Sequence, residues 1–183
     1  DLSIYLPACE VQQLRAGVMK SQHSVIQALS HIQAEKAEAK TLSDRNMIFE
    51  VIRNSDGGFL DVNKRVKNEL RSWYVTQLKT LTDLEPENHQ LLGKTGAIIE
   101  HFSDLDEGLL YFKKTLDVQL KVLGEDHRLV ATSYSNIGLV HLQKGELEKA
   151  LDYCMKSVSL KQNSSNSEDS RSMATSYNNI GMV

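Results

Sequence analysis

The sequence predicts an all-α solenoid of stacked helical hairpins, preceded by a helical module that opens with one short strand. The main observation is an internal repeat: the octapeptide ATSYSNIG at residues 131–138 returns as ATSYNNIG at residues 174–181. Gly96 lies 42 residues before Gly138 and marks a fainter upstream copy. A fixed period of roughly 20–50 residues is typical of stacked supersecondary units. Only 2 prolines interrupt the chain, which suits a helical protein.

Composition and charge exclude several classes of function. With a formal net charge of −3 over 183 residues, no global positive field attracts nucleic acid or an anionic membrane. No apolar run approaches the roughly 18–20 residues needed to cross a bilayer, and the N-terminus lacks the features of a signal peptide. Cys9 and Cys154 are far apart in sequence, which favours buried thiols in a reducing cytoplasm. Because both ends look cut, we expect a piece of a longer protein.

Residues 1–85 are predicted to form the N-terminal helical module. Residues 2–7 are the strand-like run, and apolar residues then recur at helical spacing as far as Ile32. Ser43-Asp44 is expected to cap the next helix, which the glycines at 57–58 end. The predicted buried stripe of that helix consists of Met47, Ile48, Val51 and Ile52.

The most amphipathic segment of the chain is residues 59–81. Its apolar residues keep spacings of three and four throughout, and we expect this face to pack onto residues 44–55. Pro86 biases Glu85 away from helix, so residues 84–88 are predicted to form a linker between the two modules.

Helix pairs are predicted for the second module, residues 86–183. The first pair covers about 88–102 and 105–123, and the second about 127–143 and 146–162. Residues 168–183 are then the first helix of a third pair.

These pairs resemble tetratricopeptide repeats. In that family, small residues let two helices cross closely and bulky residues fill the groove of the next repeat. The matching residues are Tyr134, Ile137, Gly138, Ala150, Tyr153 and Cys154 in one unit, and Leu92, Gly96, Gly108 and Phe112 in the unit before it. Thr95 departs from the expected apolar residue. The longer period and the joint at 123–131 are similar to the kinesin light chain type, although Arg128 stands where that type usually has proline.

The N-terminal module is weakly similar to a segment of large protist and algal proteins. The similarity rests on short stretches such as Gly58-Phe59-Leu60-Asp61-Val62-Asn63 and Leu70-Arg71-Ser72-Trp73-Tyr74-Val75. In those proteins the segment follows a TIR-like α/β domain and precedes kinesin-light-chain-type repeats. The resemblance implies that residues 1–85 are the C-terminal end of such a domain.

The sequence indicates no catalytic or metal site. Its 6 histidines form no ligand cluster with cysteine or with each other. The Asp56-Gly57-Gly58 turn follows no strand, so it lacks the context of a phosphate-binding loop. We therefore expect no cofactor, no metal and no enzymatic activity.

The remaining candidate is the concave groove that the resemblance assigns to the first helix of each pair. Asparagine suits such a surface, because its amide donates and accepts hydrogen bonds and can hold the backbone of an extended peptide. The alternative is that these positions are merely solvated polar residues. The candidate groove residues are Lys94, Thr132, Ser135, Asn136, Leu139, Gln143, Asn178 and Asn179.

These observations predict a scaffold or adaptor segment that binds a protein or peptide, with no nucleic-acid partner and no membrane insertion. One alternative is the linker or sensor region of a TIR-domain enzyme or signalling protein whose active part lies upstream. A second is a structural spacer.

Overall fold

The computed structural model describes residues 33, 36, 42–102, 104–163 and 181. Over residues 42–163 it contains six α-helices and no strand. The strand predicted at residues 2–7 and the third-repeat helix predicted at 168–183 lie outside the described residues, apart from the helical Gly181. The helices are α1 (Leu42–Asn54), α2 (Gly58–Leu84), α3 (His89–His101), α4 (Leu105–Leu123), α5 (Arg128–Gln143) and α6 (Leu147–Asn163).

The chain divides into two compact units, Asp1–Gln77 and Leu78–Val183. This division falls inside α2. The boundary expected at residue 85 between the two modules stays a prediction.

In the first unit, α1 turns a different face inward from the one predicted. Phe49 is buried and meets the Phe59 ring edge-on at a centroid distance of 5.0 Å. The guanidinium groups of Arg45 and Arg53 lie 4.8 and 5.9 Å from the centre of the Phe49 ring. Residues four apart share a helix face, so these contacts place Arg45, Phe49 and Arg53 together.

The predicted buried stripe of α1 is therefore largely wrong. Met47, Ile48 and Val51 are exposed, and Ile52 is half-buried. The physical reason is that one large ring, held between two cations, fixes the rotation of the helix more strongly than several smaller aliphatic groups. Ser43 and Asp44 also lie inside the helix, which begins at Leu42.

The long helix α2 begins after a turn in which Gly57 and Gly58 have φ angles of 85° and 49°, a backbone region that glycine adopts without steric cost. Burial increases along the predicted apolar stripe towards Tyr74 and Leu78. Burial also raises the pKa of the Tyr74 phenol to about 12. The amphipathic pattern thus located this helix correctly.

The second unit contains two helical hairpins, α3–α4 and α5–α6, with α4 packed against α5. Asn88 and Asp104 cap their helices: their side-chain oxygens each accept a backbone N–H at 3.0 Å, from Leu91 and Glu107 respectively. Such caps satisfy donors that the first turn leaves unpaired. The helix ends lie within one or two residues of the predicted ones.

A hydrophobic core joins the two hairpins. Glycines at the crossings permit close approach: a Cβ atom at Gly96 would lie 3.1 Å from the Phe112 ring, and one at Gly108 would lie 2.9 Å from the Glu100 Cβ. This close packing sets how nearly the two helices of the first hairpin, α3 and α4, approach each other. The buried members of the core are Leu109, Phe112, Leu116, Val130, Ile137 and Val140.

Candidate functional site

The candidate site is the face of α3 and α5 that the repeat register assigns to the groove. Since Gly96 and Gly138 are equivalent, residues 90, 94, 97 and 101 of α3 correspond to 132, 136, 139 and 143 of α5. On α5, Thr132 and Gln143 are exposed, while Asn136 and Leu139 are half-buried. Among the described residues, the Asn136 amide has no hydrogen-bond partner.

One hydrogen bond shows that α3 and α5 are neighbours on this face. The Gln143 side-chain amide donates to Glu100 Oε1 at 2.6 Å. It joins the last turn of one first helix to the last turn of the next. The two helices therefore meet at their last turns, and the face that the register assigns to both is hereafter called the α3–α5 groove.

The other predicted groove residues differ in how exposed they are, and two of them lie outside the described residues. Lys94 is half-buried on α3 and already interacts with other residues. Ser135 is only 7% exposed, so its hydroxyl offers little surface to a partner. Asn178 and Asn179 lie outside the described residues.

Other side chains of α5 are buried and hydrogen-bonded, which fixes the rotation of this helix. The Ser133 hydroxyl donates to Gln119 Oε1 of α4 at 2.7 Å. His141 is buried, stacks on Tyr153 with 10° between the rings, and places Nδ1 2.8 Å from Glu146 Oε2. At this rotation Asn136 is half-buried.

Ion pairs line the edge where each first helix turns into its second. Hydrogen bonds from Lys149 and His141 lower the pKa of Glu146 to about 2. The Lys144 ammonium pairs with Asp106 of α4, and this hydrogen bond raises the Lys144 pKa. These contacts tie the second hairpin to the first beside the groove.

A cleft lined mainly by α6 lies away from the α3–α5 groove. Its volume is about 710 Å³. The equivalent surface of α4 is covered by α5. Its lining residues are Glu125, Tyr134, Glu148, Leu151, Asp152, Met155, Lys156, Ser159 and Leu160.

Metal sites and membrane-spanning helices are two further features that the described residues could form. In the described part of the chain, no group of three or more His, Cys, Asp or Glu side chains is placed to hold a metal ion. No helix within the same residues has the length and hydropathy to cross a membrane.

Cys154 is a buried free thiol whose pKa is raised by burial. His127 accepts a local hydrogen bond from the Leu129 backbone at 3.2 Å.

Comparison with known proteins identifies the repeats in residues 89–163. Residues 89–163 match the family model of the tetratricopeptide repeat. These are tetratricopeptide repeats. The match covers the two hairpins α3–α4 and α5–α6, so the tetratricopeptide resemblance seen in the sequence is confirmed there.

The chain is also similar to solved structures. The crystal structure of BtubC (BKLC) from P. vanneervenii is 13% identical, with a TM-score of 0.56 over 93% of this chain and 77% of that chain. A crystal structure from Podosopora anserina, described as a kinesin light chain with nearly identical TPR-like repeats, is also 13% identical, with a TM-score of 0.49 over 79% and 70%. At such low identity, the similarity to BtubC (BKLC) shows a common fold alone. No curated protein sequence matches the chain.

Sequence reasoning missed Glu100 as the hydrogen-bond partner of Gln143. The candidate groove residues were taken from the repeat register fixed at Gly138, and in that register Gln143 corresponds to residue 101 and not to Glu100. The repeat alone therefore gives no signal for this contact, which depends on how α3 and α5 approach each other.

Proposed function

We propose that this chain is a non-enzymatic scaffold or adaptor segment that binds an extended peptide of a partner protein in the α3–α5 groove. The Asn136 amide carries the proposal. It is half-buried on the groove face, and no described residue satisfies it. A half-buried amide with free donors and an acceptor can hydrogen-bond to a peptide backbone whatever the side chains of the peptide.

The surrounding residues support a preformed site. The buried face of α5 is fixed by the Ser133–Gln119 hydrogen bond and by the stacking of His141 on Tyr153. Ordering this helix on ligand binding therefore costs little free energy, and preorganisation of this kind favours affinity. Leu139, half-buried on the same face, supplies apolar contact beside the amide.

We propose further that residues 168–183 continue the solenoid, which places Asn179 one repeat after Asn136 in the same groove, and that the protein acts in the cytoplasm. The alternative is a linker or sensor region behind a TIR-like enzyme. That alternative concerns sequence before residue 1, and no described residue favours it.

A binding measurement with matched variants tests the proposed function. A partner peptide is first isolated by selection from a random peptide library on the 183-residue protein, and its dissociation constant is then measured for each variant. Each hydrogen bond that stabilises the complex contributes a net of about 0.5–1.5 kcal/mol. Asn136→Ala should therefore weaken binding about 2- to 12-fold, and combination with Asn179→Ala about 5- to 150-fold.

The matched control is Asn68→Ala, which removes the same amide from an exposed position on α2. It should leave the affinity unchanged. If the folded Asn136 and Asn179 double variant binds the peptide with wild-type affinity, the peptide does not bind in the groove.

A further inference from the structure

We infer that Glu100 makes the α3–α5 groove selective for peptides that carry a lysine or arginine side chain. This inference rests on the proposed function and names the class of peptide that the groove prefers. It starts from the environment of the Glu100 carboxylate.

The Glu100 carboxylate is only partly used within the described structure. Glu100 is half-buried one residue before groove position 101, and its side chain has one described partner, the Gln143 amide at 2.6 Å. A carboxylate has two oxygens and about four lone-pair sites. Gln143 is neutral, so it satisfies one oxygen and leaves the negative charge without a cation.

Three neighbouring acids differ from Glu100 because each of them pairs with a lysine. Asp106 pairs with Lys144, Glu107 with Lys79 at 2.5 Å, and Glu146 with Lys149 at 2.9 Å. Each of these three negative charges therefore has a lysine of the same chain beside it. Glu100 meets an amide instead, which leaves its charge for a ligand.

The carboxylate is also held in place. A Cβ atom on Gly108 would lie 2.9 Å from the Glu100 Cβ and 3.1 Å from its backbone nitrogen. The tight crossing of α3 and α4 therefore fixes the stem of the side chain, while Gln143 of α5 fixes its end. A cationic ligand group meets a preorganised acceptor and forms a charge-assisted hydrogen bond, which is stronger than one between neutral groups.

The groove cation Lys94 lies on the same helix as Glu100 but at a different position along the helix axis. It precedes Glu100 by six residues on α3, about 9 Å along the helix axis at 1.5 Å per residue. A peptide that lies along the groove can therefore place its basic side chain at Glu100 without facing Lys94.

The test begins with peptides selected from a random library of extended peptides on the intact 183-residue protein. We expect one position of the enriched peptides to be lysine or arginine. The best peptide and its analogue with glutamine at that position are then synthesised and titrated against wild type, Glu100→Gln and Glu148→Gln. Glu148 is an exposed acid on α6, outside the groove.

Glu100→Gln should weaken the basic peptide by about 10-fold or more, because hydrogen bonds to charged groups exceed neutral ones. It should change binding of the glutamine analogue far less, and Glu148→Gln should change neither. Gln143→Lys is an independent check: it supplies a cation to Glu100 from within the protein and should abolish the preference for the basic peptide.

The outcomes separate this inference from the proposed function. Suppose that the peptides bind Asn136→Ala more weakly than wild type but bind Glu100→Gln as tightly as wild type. That result would overturn the role of Glu100 and leave groove binding intact. Failure to select any peptide, or selected peptides indifferent to both substitutions, would overturn groove binding itself and the role of Glu100 with it.

Discussion

Gly138 of α5 lies directly against Cys154 of α6, so closely that a Cβ atom at position 138 would come within 2.9 Å of the Cys154 sulfur. The next nearest atom, the Ala150 carbonyl oxygen, would be 3.3 Å away. Cys154 is 1% exposed, so the sulfur has no solvent-filled space into which to move. This contact sets how closely the two helices of the second hairpin approach.

The first prediction concerns this contact. Gly138→Ala should destabilise the protein by about 1–3 kcal/mol, the usual cost of extra volume in a well-packed core. In a Cys154→Ala background the sulfur is gone, and the same substitution should cost at least about 1 kcal/mol less, because residues in contact are energetically coupled. Urea denaturation of the four proteins measures the coupling. Additive effects would show that Cys154 does not limit the crossing.

The second prediction concerns Thr95, which occupies an apolar position of the repeat. Thr95 is fully buried, and its hydroxyl has no hydrogen-bond partner among the described residues. Thr95→Val keeps the shape and removes an unsatisfied polar group, so it should stabilise the protein by about 1 kcal/mol. Thr115 is the matched control, since its buried hydroxyl donates to the Tyr111 carbonyl at 2.8 Å.

Thr115→Val removes that satisfied hydrogen bond and should destabilise the protein by about 0.5–1.5 kcal/mol. The two substitutions are chemically identical, so opposite signs in thermal or urea unfolding support the assignment. Destabilisation by both would mean that the Thr95 hydroxyl has a partner.

The third prediction concerns the pH dependence of stability. The folded-state pKa of Glu146, about 2, lies below its ordinary value of 4.5. The ionised carboxylate therefore stabilises the fold above about pH 4.5, and this contribution is lost as the pH falls towards 2. The difference in unfolding free energy between wild type and Glu146→Gln should shrink across that window. A difference that stays constant from pH 5 to pH 2 would contradict the ion-pair account.

The fourth prediction concerns the continuation of the solenoid. Leu109 is buried where α5 covers α4, whereas its equivalent in the second hairpin, Leu151, is 38% exposed. If residues 168–183 cover α6 in the same way, Leu151→Lys should cost about 1.5–3 kcal/mol, the value of burying such a side chain.

Met155 provides the control for this prediction. Its equivalent on α4 is the exposed Lys113, so Met155 should stay exposed even when a further helix packs on α6. Met155→Lys should therefore change stability by less than about 0.5 kcal/mol. Equally small effects at Leu151 and Met155 would show that residues 168–183 do not pack there.

The sequence was sufficient for the helices of the second unit. Octapeptide repetition and the glycines of the repeat are visible in the sequence, so their effects can be read without knowing the tertiary contacts. The same holds for the long helix α2, whose apolar stripe is continuous over several turns.

The rotation of α1 could not be predicted in this way. Counting aliphatic residues favoured Met47, Ile48 and Val51, whereas the Phe49–Phe59 contact and its two arginines decided the outcome. Such contacts join residues of two helices, and periodicity within one helix carries no information about them. The Glu100–Gln143 bridge was missed for the same reason, since it depends on which turns of α3 and α5 meet.

The central claim is that a partner peptide binds in the α3–α5 groove, and NMR mapping of the binding surface tests it most directly. Backbone amide shifts of the isotopically labelled protein are recorded while the selected peptide is added. We expect the largest changes on the groove face, at Lys94, Glu100, Thr132, Asn136 and Gln143, with little change at Met155 on α6. Changes confined to α1 and α2, or to the outer face of α6, would contradict the claim.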